Sequence, residues 1–587
     1  MSDAHPARTP AVAAVLAATL PSLLAYNVSP SPTFLNQALA FGLWAAFVVV
    51  SEPALRLRGP APLLAALGLL ALTAAWSWGP GALPTGLALS AIGSLGAAAV
   101  LTAGGAGARA RGAAVDFFAA FCWAWVAAGV LNVIVALMQV FAPGWCDGDW
   151  IAASGSPGRA VGNLRQPNHL SSLLLWSCIA AVALLQLGRL GRRGARWAAA
   201  LLVAFVFAVV LTASRTGLVS VILLALWGLL DRRLSRSTRA LLIAAPFIYL
   251  LSWLAMAQWA ALSQHRFGGS ERLAETDISS SRFAIWRDTL GLIAAQPWAG
   301  VGFGEFNFAW TLTPFPHRPV AFFDHTHNLP LQLAVELGLP LAALVMGLLL
   351  WALCRAARKA WLAAGDIGTA QRSAMLMVLM IGLHSLLEYP LWYSYFLLPA
   401  AWAFGFALQG DEARSTSPDR PAPAPAPALA WAGLAVMIGT ALSVLDYQRV
   451  TLIFSAEPGV GPLEQRIAAG QRSVLFAHHA DYAAVTSGVA AAQPLRAFDR
   501  ATHYLLDTRL MIAWSQSLAA HGQLDEARHL AARLREFGKE DAGDFFAPCA
   551  ASAVSASNAA SAASGAAFQC ELPAHASGWH DFVAADK

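Results

Sequence analysis

The sequence has few charged residues, and this shortage excludes an ordinary soluble domain. Only 12% of its 587 residues are Asp, Glu, Lys or Arg, whereas 57% are hydrophobic, and both values lie far from the average for soluble proteins. About 20 consecutive apolar residues suffice to cross the hydrocarbon core of a bilayer. Such stretches recur from Ala11 to Tyr447, so the composition predicts a polytopic membrane protein.

Three further features that the sequence lacks narrow the class of protein to which it can belong. The first apolar stretch, from Ala11, has no clear small-residue cleavage site, so we interpret it as a retained helix and not as a signal peptide. The glycine-rich segment 300–304 lacks the Lys-Ser/Thr of a phosphate-binding loop. The net charge of +5 comes from arginines in short loops and not from one basic face, so no nucleic-acid partner is expected.

The apolar stretches predict an all-α fold with about 13 transmembrane helices. The predicted spans are residues 11–28, 33–51, 61–78, 83–103, 115–141, 169–187, 196–213, 216–230, 239–257, 331–354, 373–389, 391–408 and 428–446. Arg and Lys clusters occupy alternate loops and mark the cytoplasmic side, because positive charge is retained there. The N-terminus is therefore expected in the cytoplasm, and the loops 142–168 and 258–330 on the opposite side.

The chain is expected to have two domains. Residues 1–446 form the transmembrane domain, in which residues 410–427 are a cytoplasmic Pro/Ala-rich linker. Residues 447–587 are ordinary in polarity, and the helical periodicity of residues 509–537 resembles one tetratricopeptide unit. We therefore predict a small helical C-terminal domain outside the cytoplasm.

Two of the six cysteines, Cys549 and Cys570, flank an Ala/Ser-rich stretch of the C-terminal region. In an oxidising compartment they would form a disulfide, whereas two free thiols are the alternative. We favour the disulfide.

A polar segment precedes the sixth predicted span. It contains Gly158, Arg159, Gly162, Arg165, Gln166, Pro167, Asn168 and His169. Glycines permit close approach of the backbone to a ligand, and arginines bind phosphate or sugar. A solvated loop with a helix start at Pro167 or Asn168 is an equally weighted alternative.

Two arginines are candidates for binding an anion at the membrane surface. Arg215 follows the seventh predicted span; an arginine at the centre of a span costs roughly 2.5–3.5 kcal/mol, so it faces a protein cavity or snorkels outward. Arg282 begins a stretch in which Phe283, Trp286 and Leu290 share one helical face. That stretch could instead lie along the membrane interface.

Two histidines, His325 and His327, stand just before the tenth predicted span. Histidine is suited to accepting a proton near neutral pH, and Asp324 could orient it or raise its basicity. A His-x-His metal site is the rival interpretation. The sequence has no third strong ligand at a spacing characteristic of metal sites, so no metal is expected. In an isolated motif of this kind, Asn328 would more often simply cap the next helix, and the histidines would have no catalytic or metal-binding role.

The last cluster links the eleventh and twelfth predicted spans. His384 and Glu388 are one helical turn apart, and ionisable groups at membrane depth favour a functional role. Tyr389, Trp392 and Tyr393 would ordinarily be aromatic anchors at the membrane surface.

Together these clusters resemble the bacterial O-linked oligosaccharyltransferases of the PglL/PilO type, within the O-antigen ligase and Wzy-polymerase superfamily. The similarity covers roughly residues 155–400. Its motifs occur in the same order: Gly162-Asn163, Gln166-Pro167-Asn168-His169, Ser214-Arg215, Arg282 with Trp286, Gly300-Val301-Gly302, His327-Asn328, Glu336-Leu337-Gly338 and Glu388-Tyr389-Pro390.

The resemblance implies a GT-C-like enzyme of the bacterial inner membrane whose active site faces the periplasm. It would transfer a glycan from undecaprenyl diphosphate to a Ser or Thr hydroxyl of an exported protein such as a pilin, without a metal or other cofactor. Its partners would be the lipid-linked donor, the acceptor protein and membrane lipids.

The resemblance also implies roles for single residues. His327 would be the general base, with His325 as the alternative or the helper. Arg215, Arg282, Arg159 and Arg165 would bind the diphosphate, because charge-assisted contacts from arginine offset the charge on a departing phosphate. The residues that would position glycan or acceptor are Gln166, Asn168, His169, Glu388, Tyr389 and Tyr393.

Three alternatives stay open at this point. An O-antigen ligase would use the same donor with a lipid A-core acceptor, and a Wzy-type polymerase would join lipid-linked glycans. A transporter or flippase would move its substrate without forming a glycosidic bond. Because the polar clusters lie at the outer ends of spans and not at the midplane, a transferase is favoured over a transporter.

Overall fold

The computed structural model describes residues 8–274, 280–320, 322–410, 424–455, 459–488, 495–556, 567–575 and 577–584. Over these residues the chain is all-helical, with α-helices and short 3₁₀ turns and no β-strand. The all-α expectation is therefore confirmed for the described chain. Most of the predicted linker 410–427 lies outside the described residues.

The α-helices are numbered in chain order. Up to residue 274 they are α1 Arg8–Leu23, α2 Phe34–Ser51, α3 Ala61–Trp78, α4 Thr85–Ala110, α5 Ala114–Phe141, α6 Pro167–Gln186, α7 Gly194–Leu211, α8 Arg215–Leu230, α9 Arg236–Ser263 and α10 Gly268–Ala274. Those that follow, up to residue 451, are α11 Ser280–Ala295, α12 Phe306–Leu312, α13 Leu329–Leu337, α14 Leu339–Leu362, α15 Gly365–Ser385, α16 Ser394–Leu408 and α17 Pro427–Thr451. The last seven are α18 Leu463–Gly470, α19 Ala477–Thr486, α20 Phe498–Ala501, α21 Thr508–Ala520, α22 Leu524–Phe537, α23 Gly543–Ala556 and α24 Trp579–Ala584.

Within the described chain, nine helical segments are long and apolar enough to cross a membrane. They are α2 to α7, α9, the pair α13–α14 and α17 with the turn after it. Two shorter apolar helices, α8 and α16, coincide with two more predicted spans, and α1 and α15 coincide with the last two. The chain is thus a polytopic membrane protein, whereas the number 13 is not confirmed.

The described chain forms two compact units. The first comprises residues 1–68, 93–278 and 347–442. In its core the ring of Trp125 on α5 lies 4.7 Å from that of Trp176 on α6. A Cβ on Gly129 would stand 2.4 Å from the hydroxyl oxygen of Ser177. Since only glycine leaves room for so close an approach, Gly129 lets α5 and α6 pack directly against each other.

The second unit comprises residues 69–92, 279–346 and 443–587. Its core is built from α11 to α13 and the C-terminal helices, with Trp310, Phe537 and Leu530 fully buried. The helices α21 and α22 pack as a hairpin around a turn at Gly522, which has a positive φ of 81°. The predicted pair of helices is therefore observed, while the predicted domain boundary at residue 446 stays a prediction.

Cys549 and Cys570 form a disulfide. The favoured pairing of these two cysteines is therefore confirmed. It joins α23, which contains Cys549, to the 3₁₀ turn that ends at Cys570.

Candidate functional site

The polar segment before α6 is built around the start of that helix. Gln166 is the N-cap, and its side-chain oxygen accepts hydrogen bonds from the backbone nitrogens of Asn168 and His169. Pro167 occupies the first helical position, where its missing N–H costs nothing. The predicted helix start is thus observed, and the side-chain oxygen of Gln166 is used in capping it. A contact of Gln166 with glycan or acceptor stays a prediction.

Asn168 joins three segments that are far apart in the sequence. Its amide nitrogen donates to the Glu388 carboxylate at 3.0 Å, and its amide oxygen accepts from the Ser214 hydroxyl at 2.6 Å. Ser214 accepts in turn from the Ser171 hydroxyl and from the backbone nitrogen of Gly217, which caps α8. The network thus fixes the start of α8 relative to α6 and to the segment that follows α15.

Arg215 is the first residue of α8 and is half-buried. Ala213, two residues earlier, has a positive φ of 49°, a conformation that costs free energy in a residue with a side chain. The N-terminus of a helix carries a partial positive charge and favours anions. The Arg215 guanidinium and the end of α8 therefore suit a phosphate group.

Only one of the other two predicted donor-binding arginines of the first unit lies beside this segment. The Nε of Arg159 donates to the backbone oxygen of Thr212 at 2.7 Å, three residues before Arg215. By contrast, Arg165, which has a positive φ of 55°, donates to the backbone oxygen of Pro32 at 3.3 Å. The structure thus places Arg159 next to the start of α8 and turns Arg165 towards another loop.

Two histidines of the first unit are sealed between helices. His169 Nδ1 lies 3.0 Å from the Tyr395 hydroxyl, and His384 Nδ1 lies 2.8 Å from the Ser172 hydroxyl. Both rings are buried, and that of His169 also packs edge-on against Tyr393. Sequence reasoning missed Ser172 and Tyr395, because each is defined as a partner only by how α6, α15 and α16 pack.

The two predicted positioning tyrosines are less buried. Tyr389 and Tyr393 are both partly exposed, with their rings stacked 6.1 Å apart. Trp392 lies edge-on to Tyr389. These rings can therefore serve either as membrane anchors or as a surface for a sugar, as the sequence suggested.

In the second unit, the segment 323–328 is held by its middle residue. Thr326 is fully buried; its backbone nitrogen donates to the Gln332 side chain at 2.8 Å and its carbonyl accepts from Trp286 Nε1 at 2.9 Å. The Asn328 side chain caps α13 by accepting from the Leu331 backbone nitrogen. The expected capping role of Asn328 is therefore observed, and it coexists with a tightly fixed loop.

His327 follows this anchor in a strained conformation, with a positive φ of 55°. Such strain costs of order 1–3 kcal/mol and persists only where the surroundings enforce it. The His327 ring lies edge-on to Phe323 and is partly exposed. The loop thus presents a fixed imidazole at an accessible position.

Asp324 pairs with the neighbouring histidine, His325. Its carboxylate lies 3.0 Å from His325 Nδ1, and its side chain is 45% exposed. Desolvation acts to raise the pKa of Asp324, but the charge and hydrogen bond of His325 together with smaller contributions outweigh it, so the pKa is lowered. Among the described residues no group of three or more His, Cys, Asp or Glu is arranged to hold a metal ion.

Arg282 lies in the first turn of α11, where it is half-buried. It stands four residues before Trp286, whose indole binds the Thr326 carbonyl. Residues four apart share one face of a helix, so Arg282 lies on the side of α11 that faces the His327 loop. Phe283 and Leu290 are exposed, so α11 could also lie along the membrane interface, as the sequence suggested.

The glycine motifs of the second unit pack against each other. The backbone nitrogens of Val301 and Gly302 donate to the carbonyls of Val335 and Glu336. A Cβ on Gly300 would meet the Glu336 carbonyl oxygen at 2.5 Å, and φ at Gly300 is 68°. These glycines therefore allow close packing beside α13, in agreement with the rejection of a phosphate-binding loop.

Asn307 is a residue that sequence reasoning missed. Its side chain donates to the Phe323 carbonyl at 2.8 Å and accepts from the Leu506 backbone nitrogen at 2.9 Å. Two residues earlier, Glu305 forms a buried pair with His503 at 2.6 Å. The His327 loop is thus fastened to the C-terminal helices, and no local sequence pattern marks either contact.

The predicted site residues are therefore distributed over both units. Arg159, Arg165 and Arg215, together with the polar network of Asn168, lie in the first unit, whereas Arg282, His325 and His327 lie in the second. The convergence of all of them in one pocket stays a prediction.

These features define an all-helical, polytopic membrane protein with an arginine at the start of α8 and a partly exposed histidine in a fixed loop. Comparison with known families adds the particulars. Residues 199–346 match the family described as O-Antigen ligase, residues 160–185 match Protein glycosylation ligase, and residues 373–544 match Virulence factor membrane-bound polymerase, C-terminal.

Two curated relatives come from Acinetobacter baylyi. The chain is 27% identical to a General O-oligosaccharyltransferase over 272 residues, which cover 45% of this chain and 45% of the relative. It is 26% identical to a ComP-specific O-oligosaccharyltransferase over 260 residues, which cover 44% of this chain and 45% of the relative. The chain thus matches somewhat less than half the length of these relatives. The resemblance to the O-oligosaccharyltransferases of the O-antigen ligase superfamily is confirmed.

Proposed function

We propose that this protein transfers a glycan from undecaprenyl diphosphate to a Ser or Thr hydroxyl of an exported protein, at the periplasmic face of the bacterial inner membrane. The observation that carries the proposal is the loop in which buried Thr326 fixes a partly exposed His327 at a φ of 55°. The names of the two relatives support the same reaction for this chain.

On the acceptor side, His327 is the general base. Its imidazole takes the proton of the acceptor hydroxyl as the oxygen attacks the anomeric carbon of the glycan. The bond between that carbon and the diphosphate oxygen breaks, and the new bond joins the sugar to the protein. We assign to His325, whose Nδ1 lies 3.0 Å from the Asp324 carboxylate, the role of assisting this base.

On the donor side, arginines stabilise the leaving diphosphate. Arg215 acts together with the N-terminus of α8, and Arg159 is fixed beside the same segment through Thr212. We assign the same role to Arg282, on the face of α11 that carries Trp286, and to Arg165, which would have to leave its contact with the Pro32 carbonyl to reach the donor. Charge-assisted contacts of this kind offset the negative charge that develops on the leaving group.

The remaining residues position the two substrates. The bonds of Asn168 to Glu388 and Ser214 hold the start of α8 in place, and buried His169 supports this packing through Tyr395. Gln166 and the partly exposed Tyr389 and Tyr393 contact the glycan or the acceptor.

The orientation of the chain follows from the loop charges and is supported by the C-terminal disulfide. A disulfide between Cys549 and Cys570 is stable in an oxidising compartment such as the periplasm. The C-terminal region and the His327 loop are accordingly assigned to the periplasmic side, and the linker 410–427 to the cytoplasm.

The test is reconstitution of the purified protein in lipid nanodiscs with an undecaprenyl-diphosphate glycan and a pilin-like protein. We expect a glycan on a Ser or Thr of the acceptor, located by mass spectrometry, with free undecaprenyl diphosphate as the second product. A wild-type preparation that consumes donor without modifying any protein would contradict the proposal.

A second candidate is a polymerase, favoured by the match of residues 373–544 to a membrane-bound polymerase. In the same assay it would lengthen the lipid-linked glycan and leave the protein unmodified. Adding lipid A-core to the assay distinguishes an O-antigen ligase from both of these enzymes, because a ligase would glycosylate that lipid. A transporter would move donor across a vesicle membrane without forming a new glycosidic bond.

A further inference from the structure

Three aromatic rings of the C-terminal region form a cluster to which the mechanism above assigns no role. The Tyr504 ring lies 4.5 Å from that of His478 and 4.9 Å from that of His479, and the two histidine rings are 4.2 Å apart. The histidines lie on α19, whereas Tyr504 follows α20. Two segments of the C-terminal region thus build one group of rings, which we call the ring cluster; Tyr504 is exposed, His479 is partly exposed and His478 is buried.

The ring cluster is fixed to the segment that carries His327. On one side of Tyr504, His503 is paired with Glu305 and its ring stacks on Phe308 at 4.4 Å. On the other side, the Leu506 backbone nitrogen is bound by Asn307, whose amide also binds the Phe323 carbonyl. Tyr504 therefore stands between two anchors that tie it to the His327 loop.

Tyr504 and Asp324 lie close to the same contact of Asn307. The Asn307 side chain bonds to the Phe323 carbonyl and to the Leu506 backbone nitrogen, one residue before Asp324 and two residues after Tyr504. Desolvation is the largest cause that raises the pKa of Tyr504, followed by the charge of Asp324. Each of the two side chains is 45% exposed, so both are accessible beside the His327 loop.

The ring cluster itself carries no charge near neutral pH. Burial lowers the pKa of His479 to about 4 and that of His478 well below its usual value, and the raised pKa keeps Tyr504 protonated. The nearby carboxylate of Asp324 is ionised, because its pKa is lowered. Arg500, whose charge acts on His478, is paired with Asp481. The cluster is therefore poorly suited to the diphosphate of the donor.

We propose that Tyr504 and His479 form a subsite for the acceptor polypeptide, which holds the residues flanking the Ser or Thr that His327 deprotonates. The base must touch the acceptor hydroxyl, so the exposed groups beside the His327 loop contact the residues that flank this hydroxyl. Ring faces pack against side chains of an extended segment, and the Tyr504 hydroxyl and imidazole nitrogens bond its backbone. The Asp324 carboxylate disfavours acidic flanking residues. This inference rests on the proposed function.

The test measures glycosylation of a synthetic acceptor peptide by the full-length protein at saturating donor. We expect Tyr504→Ala to raise the acceptor KM about 10-fold while kcat changes less than about threefold, because uniform binding is lost and not transition-state stabilisation. Tyr504→Phe keeps the ring and should raise KM by a smaller factor. The KM for the lipid-linked donor and the slow hydrolysis of donor without acceptor should stay at wild-type values.

The matched control is Phe454→Ala, which removes an aromatic ring of similar exposure, 42%, from the same unit. It should leave the acceptor KM unchanged. His479→Gln provides a second variant, and thermal unfolding confirms that each protein is folded.

The outcomes separate the two proposals. If wild-type protein makes no glycopeptide, the proposed function itself fails. If wild type makes glycopeptide and Tyr504→Ala behaves like wild type, or lowers kcat and donor hydrolysis together at unchanged KM, the subsite is wrong. A rise in the donor KM alone would assign the ring cluster to the glycan and overturn the polypeptide assignment.

Discussion

The polar groups of the two units differ in their surroundings. In the first unit Asn168, Ser214 and Glu388 bond to one another among helices, and Glu388 is only 7% exposed. In the second unit Asp324 and Tyr504 are each 45% exposed, and His327 is partly exposed and strained.

This difference in exposure distinguishes groups that position other residues from groups that react with substrate. A buried polar group must have its hydrogen bonds made within the protein, and once they are made it is rigid and inaccessible. A reactive group must reach its substrate, so it lies on an accessible loop held by a scaffold. The comparison supports the proposed roles, positioning for the network of Asn168 and proton transfer for the His327 loop. The experiments below test these roles and the stability of the second unit.

The largest effect is expected from His327→Ala. Loss of a general base lowers the rate about 10²–10⁴-fold, measured as kcat for glycopeptide formation. His327→Asn should lose as much activity, although asparagine tolerates the positive φ at this position, which excludes backbone strain as the cause. His317→Ala removes an exposed histidine of the same unit and should leave the rate unchanged; equal losses in both would refute the assignment.

Acid should destabilise the second unit through His529. This side chain is 2% exposed, its Nε2 lies 2.7 Å from the Leu312 carbonyl, and burial lowers its pKa to about 4. Between that value and about 6.5 the unfolded chain binds more protons, so stability falls as the pH drops through this window. The loss approaches about 3 kcal/mol, at about 1.4 kcal/mol per pH unit.

Hydrogen exchange of α21 and α22 at pH 7 and pH 4.5 measures this loss. His529→Gln should weaken the pH dependence, whereas His521→Gln, at an exposed position after α21, should leave it intact. Identical pH profiles of all three proteins would show that His529 does not carry the effect.

In the first unit, Arg215→Lys tests whether the start of α8 binds the donor. Lysine keeps the charge but loses the planar fork that binds phosphate with two parallel bonds. We expect kcat over the donor KM to fall about 10–100-fold, the equivalent of one charge-assisted hydrogen bond. Arg193→Lys, at an exposed loop position, is the control, and a fall of similar size there would remove the specific role of Arg215.

The smallest effect concerns Asn168 and Ser214. Hydrogen bonds between membrane helices contribute on average about 0.6 and at most about 1.7 kcal/mol, so a double-mutant cycle of Asn168→Ala and Ser214→Ala should yield a coupling free energy in that range. Unfolding in detergent provides the measurement. A cycle of Asn168→Ala with Ser51→Ala, whose hydroxyl bonds within α2, should give no coupling. Zero coupling in both cycles would show that the network holds nothing in place.

Much of the fold could be predicted because its signals are local. Each of the 13 predicted spans coincides with helical structure, since apolar length and backbone hydrogen bonding act over consecutive residues. The helix start at Pro167 and the cap at Asn328 were expected for the same reason. The number of helices that cross the membrane depends on depth and tilt, and short helices such as α8 leave it open.

The site residues named from the sequence were those with a chemical signal of their own, such as Arg215, Arg282 and His327. Their supports have no such signal. Thr326, Asn307 and Ser172 are ordinary polar residues in any reading of the sequence, and each gains its role from a partner brought near by packing.

The sequence alone determined that the chain is a membrane-spanning helical protein, and it named the candidate arginines and histidines, because transfer free energy and side-chain chemistry belong to single residues and short segments. Only the tertiary structure decided that Trp286 binds the Thr326 carbonyl and that Asn168 bonds to Glu388. Such contacts join segments up to 220 residues apart, which meet when the core is formed, and no local propensity encodes them.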